Sequence, residues 1–149
     1  MKISSRLKDV RQIFLDTAPV VYFVEKNPDY LEKVRVVFEH LDDGTLAGAA
    51  SPITLSECLV LPYRLGKPEA AQAFIQMLVN SSNMAFVIIE AQIADRAADL
   101  RARFNLSLPD AFQAAAALAA GCDAFLTNDD TLKRVTELNV ILLDEVEAG

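Results

Sequence analysis

The chain has 149 residues, 52% of them hydrophobic, with only 5 glycines and 6 prolines. That size and composition fit one globular domain with a real core and exclude a disordered chain. Against 21 Asp and Glu stand 14 Lys and Arg, a net charge of −7, which argues against nucleic-acid binding by bulk charge and leaves room only for a local basic strip.

The opening "MKISSRLKDVRQ" is basic but lacks the apolar run of a secretory signal. Residues 1–11 are expected to be an N-terminal extension, helix or tail, on a single domain spanning 1–149. Residues 12–15 then read as a short buried strand, and "APVVYFVEKN" as a helix with Pro19 in its first turn. In "PDYLEKVRVVFEHLDDG", Leu31, Val34, Phe38 and Leu41 recur at helical spacing until Gly44 stops the run. "LAGAASPIT" reads as a strand ended by proline, and "TLSECLVLPYRLG" and "KPEAAQAFIQMLVN" as two helices. "MAFVIIE" is the clearest strand, a continuous apolar run suited to a sheet covered on both faces. "AQIADRAADLRARF" is a charged amphipathic helix and "LPDAFQAAAALAAGC" an Ala-rich one built for close packing, too short to span a bilayer. Strand "AFLT", helix "DTLKRVTEL" and strand "VILLD" close the chain. Strands alternating with helices predict a three-layer α/β fold, a parallel sheet flanked by helices. Cys58 and Cys122 form no CxxC pair and are expected as reduced thiols of a cytoplasmic protein.

Ligands of such sheets bind beyond the carboxyl ends of the strands, and four acids fall there. Asp16 closes the first strand. Glu57 lies just past "AASPIT", in the expected first turn of the next helix. Asp110 opens the Ala-rich helix, and Asp129 follows "AFLTN". Each has a simpler reading as a helix cap. "TLSE" fits a capping box, "SLPD" a helix start, and Asn128, Asp129 and Asp130 are all cap formers. Asp16 resists that reading most, because it ends a strand, and four acids at matching positions favour a metal site.

These residues resemble the PIN-domain nucleases, in particular the VapC-type toxins of toxin–antitoxin pairs. The resemblance runs from Ile13 to Asp144 and rests on "FLDTAPVVYF", "ITLSECLV", "LSLPDAFQAAAALAAGCDAFLTND" and "VILLD", in that order. Ala18-Pro19 departs from the pattern, where many members carry a small polar residue, and Asp130 duplicates the acid after Asn128. The resemblance implies an endoribonuclease with Asp16, Glu57, Asp110 and Asp129 as catalytic, metal-binding acids. It implies Asp16 and Asp110 as the expected direct contacts, Glu57 and Asp129 completing the site directly or through water, and Thr127 and Asn128 orienting ligands or phosphate, with Thr17 either doing likewise or serving as a cap. Oxygen ligands suit Mg²⁺ or Mn²⁺, and with His40 as the lone histidine no zinc set exists. The same resemblance implies an RNA substrate, a cognate antitoxin held near "PVVYFVEKNPDYLEKVRVVF", a homodimer and no membrane.

Arg96, Arg101, Arg103, Lys133 and Arg134 are the basic residues nearest these acids, although Asp99 and Arg103 also suit an i,i+4 salt bridge on a solvated helix face. Two rival functions remain. One is a non-catalytic PIN-like binding or scaffolding module. The other is a haloacid-dehalogenase-like phosphatase, which needs a second Asp where this chain has Ala18.

Overall fold

The computed structural model describes all 149 residues. Five short strands, β1 (Gln12–Leu15), β2 (Ala47–Ala50), β3 (Met84–Phe86), β4 (Ala124–Thr127) and β5 (Val140–Leu142), form one parallel sheet in the order β3-β2-β1-β4-β5. Successive side chains point to opposite faces, so each strand feeds two cores. Ile13, Leu15, Ala50, Ala124, Leu126 and Ile141 face one side. They pack there with α1 (Ile3–Arg6), α2 (Thr17–Val24), α3 (Leu31–Asp43), α4 (Pro52–Arg64) and α5 (Pro68–Val79). Phe14, Ala49 and Phe125 face the other, under α6 (Ala91–Phe104) and α7 (Leu108–Ala119). Ala114 to Ala117 of α7 are fully buried. Their small side chains let the helix lie close over the stacked rings of Phe14 and Phe125, 5.3 Å apart. The three-layer arrangement is the one read from the sequence.

Local departures have local causes. The expected strand "MAFVIIE" pairs only over Met84–Phe86, plus one bond from the Val87 N–H to the Ala50 carbonyl at 2.8 Å. Its partner β2 stops at Ala50 because Ser51 caps α4, so nothing remains for Ile88 to pair with, and that side chain is 59% exposed. The capping box is Ser51 with Thr54, not Thr54 with Glu57, since Pro52 already occupies the first helical position. Glu57 therefore stands in the second turn of α4. "DTLKRVTEL" makes only a 3₁₀ turn, Asp130–Arg134, because Val135 goes extended (ψ 99°) and buries its side chain. "VILLD" is a strand to Leu142 and a 3₁₀ turn over Leu143–Glu145. The first residues are no loose tail. Ile3 is fully buried, its N–H donates to the Glu147 carbonyl at 2.7 Å, and the Glu147 N–H donates to Met1 at 2.9 Å.

Candidate active site

From β1 the chain steps outward to β2 and β3, then returns to place β4 on the other side of β1. The order reverses between β1 and β4, so the crevice beyond their carboxyl ends is the binding position of such a sheet. Both ends carry polar groups aimed at it. The register that pairs Leu15 with Leu126 puts Asp16 beside Thr127. The Asp16 N–H donates to the Leu126 carbonyl at 3.0 Å, and the Thr127 hydroxyl donates to Asp16 Oδ2 at 2.7 Å. That hydroxyl oxygen in turn accepts the Asp129 N–H at 3.0 Å. The strand ends thus fix two of the acids relative to each other.

Asp16 occupies the N-cap position of α2 but does not cap it through an N–H one turn in. Only 8% of it is exposed. Burial pushes its carboxyl above the ordinary 3.8, while bonds from Thr127, the Thr17 N–H and Gln113 pull it down and the Glu57 charge adds to the rise. Glu57 is exposed, and its Oε1 accepts the Thr17 hydroxyl at 2.6 Å. Asp110 is the third residue of α7, whose cap is Ser107. Its carboxyl is pushed up to about 6, first by burial and then by the hydrogen bond and charge of the neighbouring Asp129. Asp129 also loses solvent, but the Thr131 hydroxyl and N–H, together with Asp110, hold it below its ordinary value, and the Arg134 charge helps. Asp110 and Asp129 are thus neighbouring acids that act on each other, one pushed up and the other held down.

All four acids lie on the carboxyl edge of the sheet, in electrostatic reach as a chain from Glu57 through Asp16 and Asp110 to Asp129. No three of them are drawn tightly enough to form a finished coordination set. The donor chemistry fits a hard divalent cation. Every donor at this edge is oxygen, and the one thiol close by, Cys58, is buried with its pKa raised to about 12. A cation beside Asp110 and Asp129 would relieve their repulsion.

Thr17 and Thr127 hold acids directly. Asn128 is braced instead, its Nδ2 donating to the Tyr22 hydroxyl at 3.3 Å and its Oδ1 accepting the Asp144 N–H at 3.1 Å. Asp144 also takes the Tyr30 hydroxyl at 2.6 Å, and Tyr30 stacks on Tyr22. Sequence reading missed Gln113, Ser51 and Thr54, a buried polar group behind Asp16. Its signal was available: one glutamine inside an alanine run, three residues after Asp110 and so on the same helix face. The basic residues are largely engaged in the scaffold. Arg103 pairs with Asp99 and Glu137, Lys133 with Glu145, and Arg101 and Arg134 donate to carbonyls at the end of α6. His40 bonds Thr45 just before β2, at the opposite, amino edge of the sheet.

The family model of the PIN domain matches residues 13–138. Solved structures share the fold at identities that speak for fold alone. VapBC2 from Rickettsia felis, bound to a promoter DNA fragment, superposes with a TM-score of 0.68 at 20% identity, over 88% of this chain and 98% of that one. A toxin–antitoxin complex from Klebsiella pneumoniae gives 0.64 at 21% identity, over 88% and 97%. VapC20 of Mycobacterium tuberculosis, a sarcin–ricin loop cleaving toxin, gives 0.63 at 18%, over 76% and 86%. No curated protein matches the sequence significantly. With most of its length matched by the family model and its acids at the carboxyl edge of this sheet, the chain belongs to the PIN domain family.

Proposed function

We propose that the protein is a divalent-cation-dependent endoribonuclease, the toxin of a toxin–antitoxin pair. The observation that carries this reading is the gathering of Asp110 and Asp129 beside buried Asp16 at the carboxyl edge of the sheet, where a positive charge would relieve the repulsion that pushes Asp110 up. Asp16, Asp110, Asp129 and Glu57 would hold Mg²⁺ or Mn²⁺. Such a cation, when bound, activates water and neutralises charge building on a phosphate. The chain's own residues do the rest. Thr127 holds Asp16 and the start of the Asp129 turn in one geometry. Thr131 keeps Asp129 ionised, and Asn128, braced from two sides, fixes the turn between them. Histidine has no role in this scheme.

RNA as substrate is supported by the loop-cleaving neighbour, and an antitoxin partner by the neighbours solved as toxin–antitoxin complexes. A groove of about 700 Å³ lined by Phe23, Phe38, Met77 and Met84 together with Arg35 and Glu39 is suited to a partner segment with apolar side chains. A second copy of the chain and a cytoplasmic setting complete the proposal. The test is cleavage of single-stranded and looped RNA by the purified chain with Mn²⁺ and with EDTA, beside Asp16→Asn and Asp110→Asn. Cleavage that persists in EDTA sinks the proposal, and tight partner binding without any cleavage favours a binding module.

A further inference from the structure

Gln113 lies one turn beyond Asp110 on α7 and is 1% exposed. Its surroundings force the direction of every bond it makes. Ser51 Oγ accepts the N–H groups of Ile53 and Thr54 at 3.0 and 3.4 Å, so its proton goes to Gln113 Oε1. Thr54 Oγ1 gives its proton to the Leu15 carbonyl at 3.3 Å, so towards Gln113 Nε2, 2.8 Å away, it accepts. A flipped amide would set Gln113 Oε1 against Asp16 Oδ1, acceptor to acceptor. Its second N–H hydrogen therefore points at Asp16 Oδ1, at 3.4 Å, while Thr127 holds Oδ2 from the other side. No buried side-chain polar atom here lacks a partner. At 3.4 Å the contact to Asp16 is weak as a bond; its worth lies in a dipole clamped by Ser51 and Thr54.

We propose that Gln113 is a positioning residue that, with Thr127, sets the Asp16 carboxylate in the orientation in which it meets a divalent cation. The proposal rests on Asp16 being a ligand, as in the function proposed above. A carboxylate held on both oxygens gives up little rotational freedom when a cation arrives, whereas one held on a single oxygen has to be ordered at that moment. Helix α7 would then supply a ligand, Asp110, and the orienting group for another, Asp16, from one face.

Calorimetric titration of the purified chain with Mn²⁺ tests this. Gln113→Met keeps the length and apolar stem but removes the amide, and is expected to weaken Mn²⁺ binding about tenfold. In an Asp16→Asn background the same change is expected to alter affinity by less than about twofold, since its target is gone. Melting in EDTA records any structural cost separately. Equal weakening in both backgrounds reduces Gln113 to a packing role and overturns the proposal. Parent-like affinity of Gln113→Met also overturns it, and leaves the ligand reading standing if Asp16→Asn alone weakens binding. A parent that binds no Mn²⁺ removes both. If Gln113→Met does not fold, Ser51→Ala decides: it frees the amide to turn, and unchanged Mn²⁺ affinity there overturns the proposal.

Discussion

The two halves of the acidic edge are built in opposite ways. Asp16, at the end of β1, is nearly buried, yet both its oxygens receive hydrogen bonds from groups that are themselves fully engaged. Asp110, at the start of α7, is half-buried and faces another acid. In one half the acid is compensated by donors on both oxygens, and in the other Asp110 is pushed up by the acid beside it. In the proposed scheme a cation would meet an already oriented carboxylate at Asp16, and at the Asp110–Asp129 pair it would relieve repulsion.

The largest expected effect of breaking either half is on RNA cleavage. If a bound cation contributes several kcal/mol to the transition state, Asp16→Asn and Asp110→Asn each lower the rate by about 10²–10³-fold. His40→Ala, at the far edge of the sheet, leaves it near the parent's. Rates with Mn²⁺ for the three variants check this, and a dead but folded His40→Ala would overturn the scheme.

Next in size is the response of the folded state to metal. A cation at about 100 times its dissociation constant stabilises by about 2.7 kcal/mol, which for a chain of this length raises the melting point by roughly 5–10 °C. Both variants are expected to lose most of that gain. A parent whose melting point ignores Mn²⁺ would leave the acids without a metal to hold.

Without metal, pH separates the halves further. The Asp110 carboxyl titrates near 6 in the fold and near 3.8 when unfolded. Between those values the folded state holds more protons, so the metal-free protein loses stability as pH climbs from about 4 through 6. Asp16, also raised, adds to that slope. Asp129 is lowered, so its stabilisation is present above 3.8 and is lost only as pH falls below that. Asp110→Asn is expected to flatten the rise-of-pH loss, and melting curves in EDTA from pH 4 to 7 measure it. Mn²⁺ affinity should climb over the same window.

How much of this was readable follows the same division. The strand-end acid was legible because an apolar strand breaking into Asp is a one-dimensional signal, and alternating elements gave the sheet that carries it. Capping was not legible in detail: Thr54 and Glu57 fit the box pattern, but Pro52 moved the helix start back to Ser51. The length of β3 depended on where β2 ended, a fact of its partner and not of "MAFVIIE". Gln113 was invisible as a function because its meaning comes from Ser51, Thr54 and Asp16, 62, 59 and 97 residues away in sequence. Pairwise chemistry across such distances is settled only by the fold.

The smallest effect is the most pointed contrast between the halves: the stability of the two asparagine variants in EDTA at neutral pH. At Asp110 an asparagine removes a charge that has no donor clamped on it beyond its own helix start, and its amide is able to donate to Asp129. That variant is expected to melt at or above the parent. At Asp16 the amide nitrogen must face either Gln113 Nε2, which only donates, or Thr127, whose hydroxyl then turns away from it. One hydrogen bond is lost inside the protein, at about 1–2 kcal/mol, against whatever burial of the charge had cost. Asp16→Asn is therefore expected to melt below Asp110→Asn by a few degrees, about 2–4 °C per kcal/mol for this size. If the two variants melt together, the donors around Asp16 are no tighter than the surroundings of Asp110. If Asp16→Asn melts higher, burial outweighs the clamp and the contrast between the halves is reversed.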